Sequence, residues 1–512
     1  MALGNSALDE LGLSSWIEGM LGEVPEVRDS KAIHCPVLGT HVLYPHEIAV
    51  LDSALTQRLR YISQTGFVYL TFPGARHSRL EHTLGAVILA ERYAQAISSR
   101  VRTKTALIDD TTRYELRMAA LLHDVGHCFF SHCSELIYKN GPSFLRFKRI
   151  PDFSDAAPHE VVSYLIVTSS PFRAFFAQVC ERYGVTLDLD RIAGWIIGKP
   201  DNPERFYLAQ IINGPFDVDK LDYIHRDAHA TGLRIVVDLD RFFYAIGTVE
   251  IKAGNPQNLR AGTHLVLHSV QPLEQLVFSK MMLYSTVYHH HKVKACDCLL
   301  AGAVEWAESN GAALSDSLKN HTGFLDLTEG AILTDRDNPL AKRLRNRNLT
   351  YRAAEISVNT VEGWMESELK RGELQEADVN PSVLPLSNFL WAKGDSAKNQ
   401  RDLNRQLYDL LPQQVKASVL PEEVWVDLPT LPKIKEVSQA LVMVGDRAVL
   451  ADRVFPTEGW VNAYSSFRHK GHVFSPRHAV REVYEAAQAL LADKFFIKLK
   501  KEAVAVACHW RG

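Results

Sequence analysis

The segment LLHDVGHCFFSH at residues 121–132 carries the densest chemistry in the chain. His123 and Asp124 stand side by side at the end of an apolar run, so one imidazole and one carboxylate can enter the same cleft. Imidazole is a borderline nitrogen ligand, and the pair suits a divalent ion of the Fe, Mn, Ni or Zn kind better than calcium. Such a site needs two more ligands, and the sequence offers one on each side. His82 opens an earlier helical segment in HSRLEHTLG, and Asp219 lies later, in NGPFDVDKLDYIHRD. Two histidines and two aspartates from three helices would leave coordination positions open for water and a phosphate oxygen, as catalysis requires. A lone His-Asp dipeptide among 21 histidines means little by itself. Its company adds weight. Gly126 and His127 follow directly, and carboxylates recur on a helix that also carries Leu221, Tyr223 and Ile224, where burial would demand a metal or cations as partners. The run His289-His290-His291 is a poorer candidate, because consecutive helical residues point about 100° apart and cannot chelate one ion together.

The elements that must hold these residues are mostly helices. In EHTLGAVILAERYAQAI, Leu84, Val87 and Ile88 fall at helical spacing behind a polar start. In YELRMAALLHDVGH, Leu116, Ala120 and His123 share one face, with His127 one turn beyond. The stretch from Gln271 to Ala307 predicts one or two long helices whose aromatic and Met positions are core. Polar breaks then separate shorter helical segments, and from Glu422 the β-branched content rises in VWVDLPTLP, ALVMVG and RAVLADRVF, ahead of a helix in PRHAVREVYEAAQALLADKFF. The expected fold class is mainly α, a large all-helical core with a smaller C-terminal α+β lobe. The expected boundaries are an N-terminal extension over 1–30, the main domain over 31–307, a helical extension over 308–420 and the lobe over 421–512.

Composition narrows the function classes. The chain has 512 residues, 46% hydrophobic and 23% charged, enough to bury a sizeable core. Lys plus Arg number 57 against 60 Asp plus Glu, a net charge of −3, which excludes a polybasic nucleic-acid coat and an acidic solvating tail. No run approaches the roughly 18 apolar residues of a membrane helix. At the start, Asp9 and Glu10 stand where a signal peptide needs an unbroken apolar stretch. The 7 cysteines are odd in number and scattered, which argues against a disulfide framework. A cytoplasmic protein without a membrane partner is expected.

The segments HSRLEHTLG, LLHDVGHCFFSH and DVDKLDYIHRD, with FPGARHSRLEH upstream, resemble the HD-domain deoxynucleoside triphosphate triphosphohydrolases. That family includes the bacterial dGTPase-like enzymes and the vertebrate SAM-and-HD-domain dNTPase. The likeness runs from about Lys31 to Val293 and more faintly beyond. It implies an HD phosphohydrolase domain over 31–307, with His82, His123, Asp124 and Asp219 as ligands of a divalent ion (Mn, Fe, Mg, Ni or Zn). It implies hydrolysis of a deoxynucleoside triphosphate substrate at the α-phosphorus, releasing deoxynucleoside and inorganic triphosphate. His132 matches the family's general acid, Glu135 an acidic residue that orients its imidazole, and His127 and His159 two further active-site histidines. The polyphosphate of such a substrate needs cations, for which Arg79, Lys220 and Arg226 within the motifs are candidates. Tyr223, one turn from Lys220, can offer a hydroxyl, and Arg226 could equally pair with Asp222. Gln64 and Asp227 match the residues that bind the sugar 3′-hydroxyl. Around Tyr288 the family's Tyr-x-His-Lys becomes Tyr288-His289-His290-His291-Lys292, so the side chain that closes over the sugar stays open.

The resemblance also implies regulation. Lys31, Asp52, Gln57 and Arg60 match an activator-nucleotide pocket between subunits, where an Asp and an Arg together can read a guanine edge. An ordinary surface helix is the alternative, and His34 and Cys35 replace polar family residues nearby. Arg347, in AKRLRNRNLTYR, matches an arginine that contacts a second activator. A homo-oligomer, dimer or tetramer, and weak single-stranded nucleic-acid binding follow from the same likeness. Two other functions stay open. One is an HD phosphohydrolase acting on nucleoside monophosphates, cyclic dinucleotides or alarmones. The other is a nucleotide-sensing or nucleic-acid-binding regulator with a subordinate HD site. The Gln64, Arg79, Lys220, Tyr223 and Asp227 set argues against the first, and the intact ligand quartet against the second.

Overall fold

The computed structural model describes residues 12–99, 108–138, 149–235, 237–255, 259–311, 321–357, 360–362, 397–428, 439–455, 470–495 and 498–500, with a few single residues between 459 and 468. Two compact units share the chain. One comprises Met1–Leu283, Ser317–Glu329 and Ile434–Thr457, the other Tyr284–Asp316, Gly330–Lys433 and Glu458–Gly512. Helices dominate and the sheets are small, so the fold is mainly α with α+β portions. Among the described residues no helix is long and apolar enough to cross a membrane, and the six described cysteines are all free.

The first unit is built on the Arg79–Ser99 helix, which is buried nearly all round. Leu80, Val87, Leu89 and Tyr93 bury most of its circumference and leave only a narrow polar strip with Glu81, Arg92 and Gln95. Its neighbours start where the sequence supplies caps. Asp109 accepts from Thr112 N at 2.7 Å before the Asp110–Leu122 helix, and Asp217 accepts from Lys220 N at 2.8 Å before the Val218–Thr231 helix. The latter stops at Gly232, whose φ of 73° is left-handed. Arg117 ties these helices to the Pro45–Leu51 helix, donating to Glu47 at 2.6 Å and to Glu91 at 3.0 Å.

Strands Leu441–Val444 and Arg447–Leu450 form where the β-branched text predicts them. They complete a four-stranded sheet with Ile246–Ile251 and Gly262–Leu267, through a parallel pairing of Leu267 with Val442. Residues 434–457 therefore cluster with the first unit. In the second unit, Tyr351–Ile356, Gly471–Ser475 and Trp425–Asp427 make an antiparallel sheet packed on the Val480–Phe495 helix. The Tyr351 strand lies in a stretch that the sequence presents as helical segments. The expected long helical region resolves into Gln271–Leu283 and His291–Asn310, joined by a π turn at Tyr284–Tyr288.

Candidate metal centre and active site

His82 comes from the Arg79–Ser99 helix, and His123 and Asp124 from the end of the Asp110–Leu122 helix. Asp219 comes from the first turn of the Val218–Thr231 helix. His82 Nε2 lies 3.1 Å from Asp219 Oδ1 and 3.5 Å from Asp124 Oδ2, and His123 Nε2 lies 3.4 Å from Asp124 Oδ1. One ligand atom from each of His82, His123 and Asp219 falls within 4.8 Å of the others. Each imidazole is aimed by its far nitrogen. His82 Nδ1 meets Asp222 Oδ2 at 2.8 Å, and His123 Nδ1 meets the Ala120 carbonyl at 2.7 Å. Protons on both Nδ1 atoms leave Nε2 lone pairs facing the cleft. Both Nε2 atoms are buried without a well-formed hydrogen bond. Two such lone pairs beside two carboxylates fit a divalent ion.

The electrostatics agree. Burial opposes charge on His82, but Asp219 and Asp222 outweigh it and push the pKa up to about 10. The cleft thus favours positive charge at this edge. Burial also opposes ionisation of Asp124 and Asp219, yet Arg79 holds the first carboxyl below the usual carboxylate range and His82 holds the second well below it. Arg79 is itself buried, donating to Asp124 Oδ2 at 2.7 Å and to Ser131 Oγ at 2.8 Å.

A second group adjoins the first. Glu135 Oε1 stands 2.7 Å from His159 Nδ1 and 3.2 Å from His132 Nδ1. The His127 ring stacks on His159 with centroids 3.9 Å apart, and His132 meets both edge-on. These four residues offer ligand atoms within 4.8 Å of one another. Stacked rings, however, carry their in-plane lone pairs side by side rather than convergent, so the group is better suited to handling protons. Burial lowers the His159 pKa, but Glu135 overrides it and the result is about 9. Burial and the Arg79 charge push His127 well down instead. A neutral and a charged imidazole lie face to face.

A family model described as the HD domain matches residues 79–227, and one described as the HD-associated region matches residues 257–381. The chain thus contains an HD domain. It is 28% identical over 332 residues to an uncharacterized protein of Methanocaldococcus jannaschii, covering 62% of this chain and 59% of that one. It is 26% identical over 402 residues to a Dictyostelium discoideum protein named deoxynucleoside triphosphate triphosphohydrolase SAMHD1 homolog, covering 74% and 72%. To the human deoxynucleoside triphosphate triphosphohydrolase SAMHD1 it is 26% identical over 427 residues, covering 75% and 65%. The chain therefore spans less than two thirds of the first and third of these relatives. The HD-domain match runs from Arg79 to Asp227, taking in the ligand quartet and the second histidine group.

Within the HD domain the turn after His123 is not helical. The Asp110–Leu122 helix ends at His123, so His127 lies in the following turn and not one helical turn further on. Ser163 of the Pro158–Thr168 helix fixes this turn, donating to His123 O at 2.6 Å and accepting from Gly126 N at 2.9 Å. A Cβ at Gly126 would stand 2.4 Å from His159 O and 2.5 Å from Ser163 N, so a glycine is needed for the approach. Arg58 donates to His127 O at 2.7 Å and Val125 O at 2.5 Å. Phe130 and Ser131 follow with left-handed φ values of 52° and 54°. Glu329 holds this strained segment, accepting from Phe130 N at 2.9 Å and from Ser63 N at 2.7 Å. Sequence reasoning missed Arg58, Ser163 and Glu329. The one available signal was a serine inside the apolar run VVSYLIV.

The remaining expected residues are placed as follows. Gln64 and Asp227 meet through His77, whose carbonyl accepts from Gln64 N at 3.1 Å and whose Nε2 lies 2.8 Å from Asp227 Oδ1. The Lys220 ammonium is engaged by the Asp217 carboxylate and by Gly214 O at 3.1 Å. Arg226 pairs with both oxygens of Asp222 at 2.8 Å, a buried ion pair within one helix. Tyr223 is half-buried on the same helix. Lys31 meets Asp52 at 3.1 Å, and Gln57 Oε1 accepts from Arg60 at 2.9 and 3.0 Å. Arg347 belongs to the second unit, with a φ of 53° just past the Pro339–Arg345 helix. In that unit His290 caps the His291–Asn310 helix, accepting from Lys292 N at 3.2 Å.

Proposed function

We propose that this chain is a divalent-metal-dependent hydrolase that cleaves deoxynucleoside triphosphates into deoxynucleoside and inorganic triphosphate. The observation that carries the reading is the pair of buried Nε2 atoms of His82 and His123, free of well-formed hydrogen bonds and aimed beside Asp124 and Asp219. An ion held there supplies Lewis-acid activation of the phosphate ester. Arg79 keeps Asp124 ionised and oriented, and Asp222 fixes the His82 tautomer. Water adds to the α-phosphorus while the bond to the 5′-oxygen breaks. The departing oxygen needs a proton, which His132 gives from Nε2 while Glu135 holds its Nδ1. Charged His159 and Arg79 balance the phosphate's negative charge, and Tyr223 and Lys220 lie on the Val218–Thr231 helix that carries Asp219.

The names of the Dictyostelium and human relatives support the substrate class. A regulatory part belongs to the same proposal. An activator nucleotide would seat on Lys31, Asp52, Gln57 and Arg60 in a homo-oligomer, with Arg347 at a second activator, in a cytoplasmic enzyme with weak affinity for single strands. The test is to incubate the protein with each deoxynucleotide and ribonucleotide, alone and in pairs, with Mn²⁺ or Mg²⁺, and to separate the products by ion exchange. Triphosphate with a deoxynucleoside is expected. Orthophosphate alone, or hydrolysis of ribonucleotides only, would overturn it.

A further inference from the structure

Among the buried polar atoms of the described residues that lack a hydrogen-bond partner, two outside the metal cleft belong together: Gln64 Oε1 and His77 Nδ1. Their side chains are close neighbours. Ser63 and Ser78 form an antiparallel bridge, and Gln64 N donates to His77 O at 3.1 Å, so Gln64 and His77 are the next opposed pair. Opposed residues of an antiparallel pair point to the same face with Cβ atoms about 4.5–5.5 Å apart. Both are nearly enclosed, 7% and 8% exposed. Folded chains rarely leave such atoms unsatisfied.

The chemistry of the missing partner follows from Asp227. Its Oδ1 stands 2.8 Å from His77 Nε2, which places the ring proton on Nε2 and leaves Nδ1 a bare lone pair. Whatever fills the gap must donate to Nδ1. It must also be small and neutral, since the two orphan atoms carry no charge to balance. A sugar hydroxyl meets both conditions. Its proton goes to His77 Nδ1, and its oxygen accepts from the Gln64 amide once that amide turns end for end. Two residues on, Arg79 enters the metal cleft, so one short segment would read the sugar and support the phosphate end.

We infer that His77 is a specificity-determining residue that contacts the substrate's sugar hydroxyl through Nδ1, with Asp227 acting on the hydroxyl through His77. The inference rests on the proposed nucleotide reaction and adds a residue to its sugar site. It is tested by the ratio of rates on dGTP and 2′,3′-dideoxy-GTP, measured for the full chain and for His77→Phe and His77→Ala. The unmodified protein is expected to favour dGTP by roughly five- to a hundredfold. In either variant that keeps the parent circular dichroism spectrum, the ratio should fall to within about twofold of unity, with metal content unchanged. A ratio near one in the unmodified protein, or a parental ratio in a folded variant, overturns the inference. A protein that hydrolyses no nucleotide defeats the proposed reaction instead. The same comparison is then made by calorimetry with 2′-deoxyguanosine and 2′,3′-dideoxyguanosine, where loss of the preference in His77→Phe upholds the inference and its retention overturns it.

Discussion

At the scale of single residues, Asp124 serves two partners at once. One oxygen receives Arg79 at 2.7 Å, and the other lies 3.4 Å from His123 Nε2. Asp124→Ala should therefore do more than lose the metal. It strands a buried guanidinium, which typically costs about 3–5 kcal/mol, so lower metal content in elemental analysis and a reduced melting temperature are both expected. Asp124→Asn keeps an acceptor for Arg79 and should lose metal and turnover with a smaller stability change. Full metal content with parental activity in Asp124→Asn would show that the ligand set is misassigned. His132 is different, because its side chain is 64% exposed and Glu135 holds it from one side. His132→Ala should lower kcat by about 10²-fold with little change in KM, as fits a proton needed only in the transition state. A raised KM at unchanged kcat would make it a binding residue instead. The candidate ligands were legible in the sequence because metal chemistry restricts residue types, and His82, His123 and Asp219 do converge. Arg58 and Glu329 were not legible, because they act on backbone atoms of the segment after His123 from far along the chain, and backbone contacts leave no motif.

At the scale of elements, the helices around the cleft were legible from their periodicity, and their caps and contacts were not. The Arg79–Ser99 helix illustrates this. Its pattern gives a helix, but only the structure shows that Gly85 lets it approach the Val218–Thr231 helix. A Cβ there would fall 1.8 Å from Asp222 Oδ1, the residue that orients His82. Gly85→Ala should cost roughly 1–3 kcal/mol by overpacking and weaken metal retention together with stability, a pairing checked by urea unfolding and elemental analysis. The strands at Leu441–Val444 and Arg447–Leu450 make the same point, since alternation marks a strand without naming the sheet that it joins. In the second unit, Glu305 of the His291–Asn310 helix meets Arg401 of the Ala397–Asp409 helix at 2.8 Å. Burial nevertheless dominates and raises the Glu305 carboxyl to about 7, against an ordinary value of 4.5. The folded state thus penalises the charged form, and the stability tied to this group is present below pH 4.5 and lost as pH rises through about 7. Glu305→Gln should gain on the parent in urea midpoint as pH rises from about 4 to 8. A gap that stays constant across this range would show that burial does not control the group.

At the scale of the whole molecule, the proposed activation is where stability and function can be separated. Lys31 and Asp52 form an ion pair at 3.1 Å, with side chains 56% and 41% exposed. Pairs this exposed typically contribute about 0–1 kcal/mol. Asp52→Ala should therefore leave the melting temperature and metal content nearly unchanged, since Asp52 contacts none of the cleft residues described above. Any effect on activity would then reflect nucleotide binding and not damage to the fold. If the pocket is occupied between subunits, one nucleotide should stimulate hydrolysis of another and shift the protein to a larger species in sedimentation, because a ligand bound at an interface stabilises the assembly by mass action. Coupling must run both ways, so a more concentrated, more assembled sample should bind the activator more tightly. Asp52→Ala should abolish the stimulation and the sedimentation shift together. Loss of one with retention of the other would place the activator elsewhere than at Asp52. Stimulation and assembly that are indifferent to every nucleotide pair in the unmodified protein would reduce Lys31, Asp52, Gln57 and Arg60 to an ordinary polar surface.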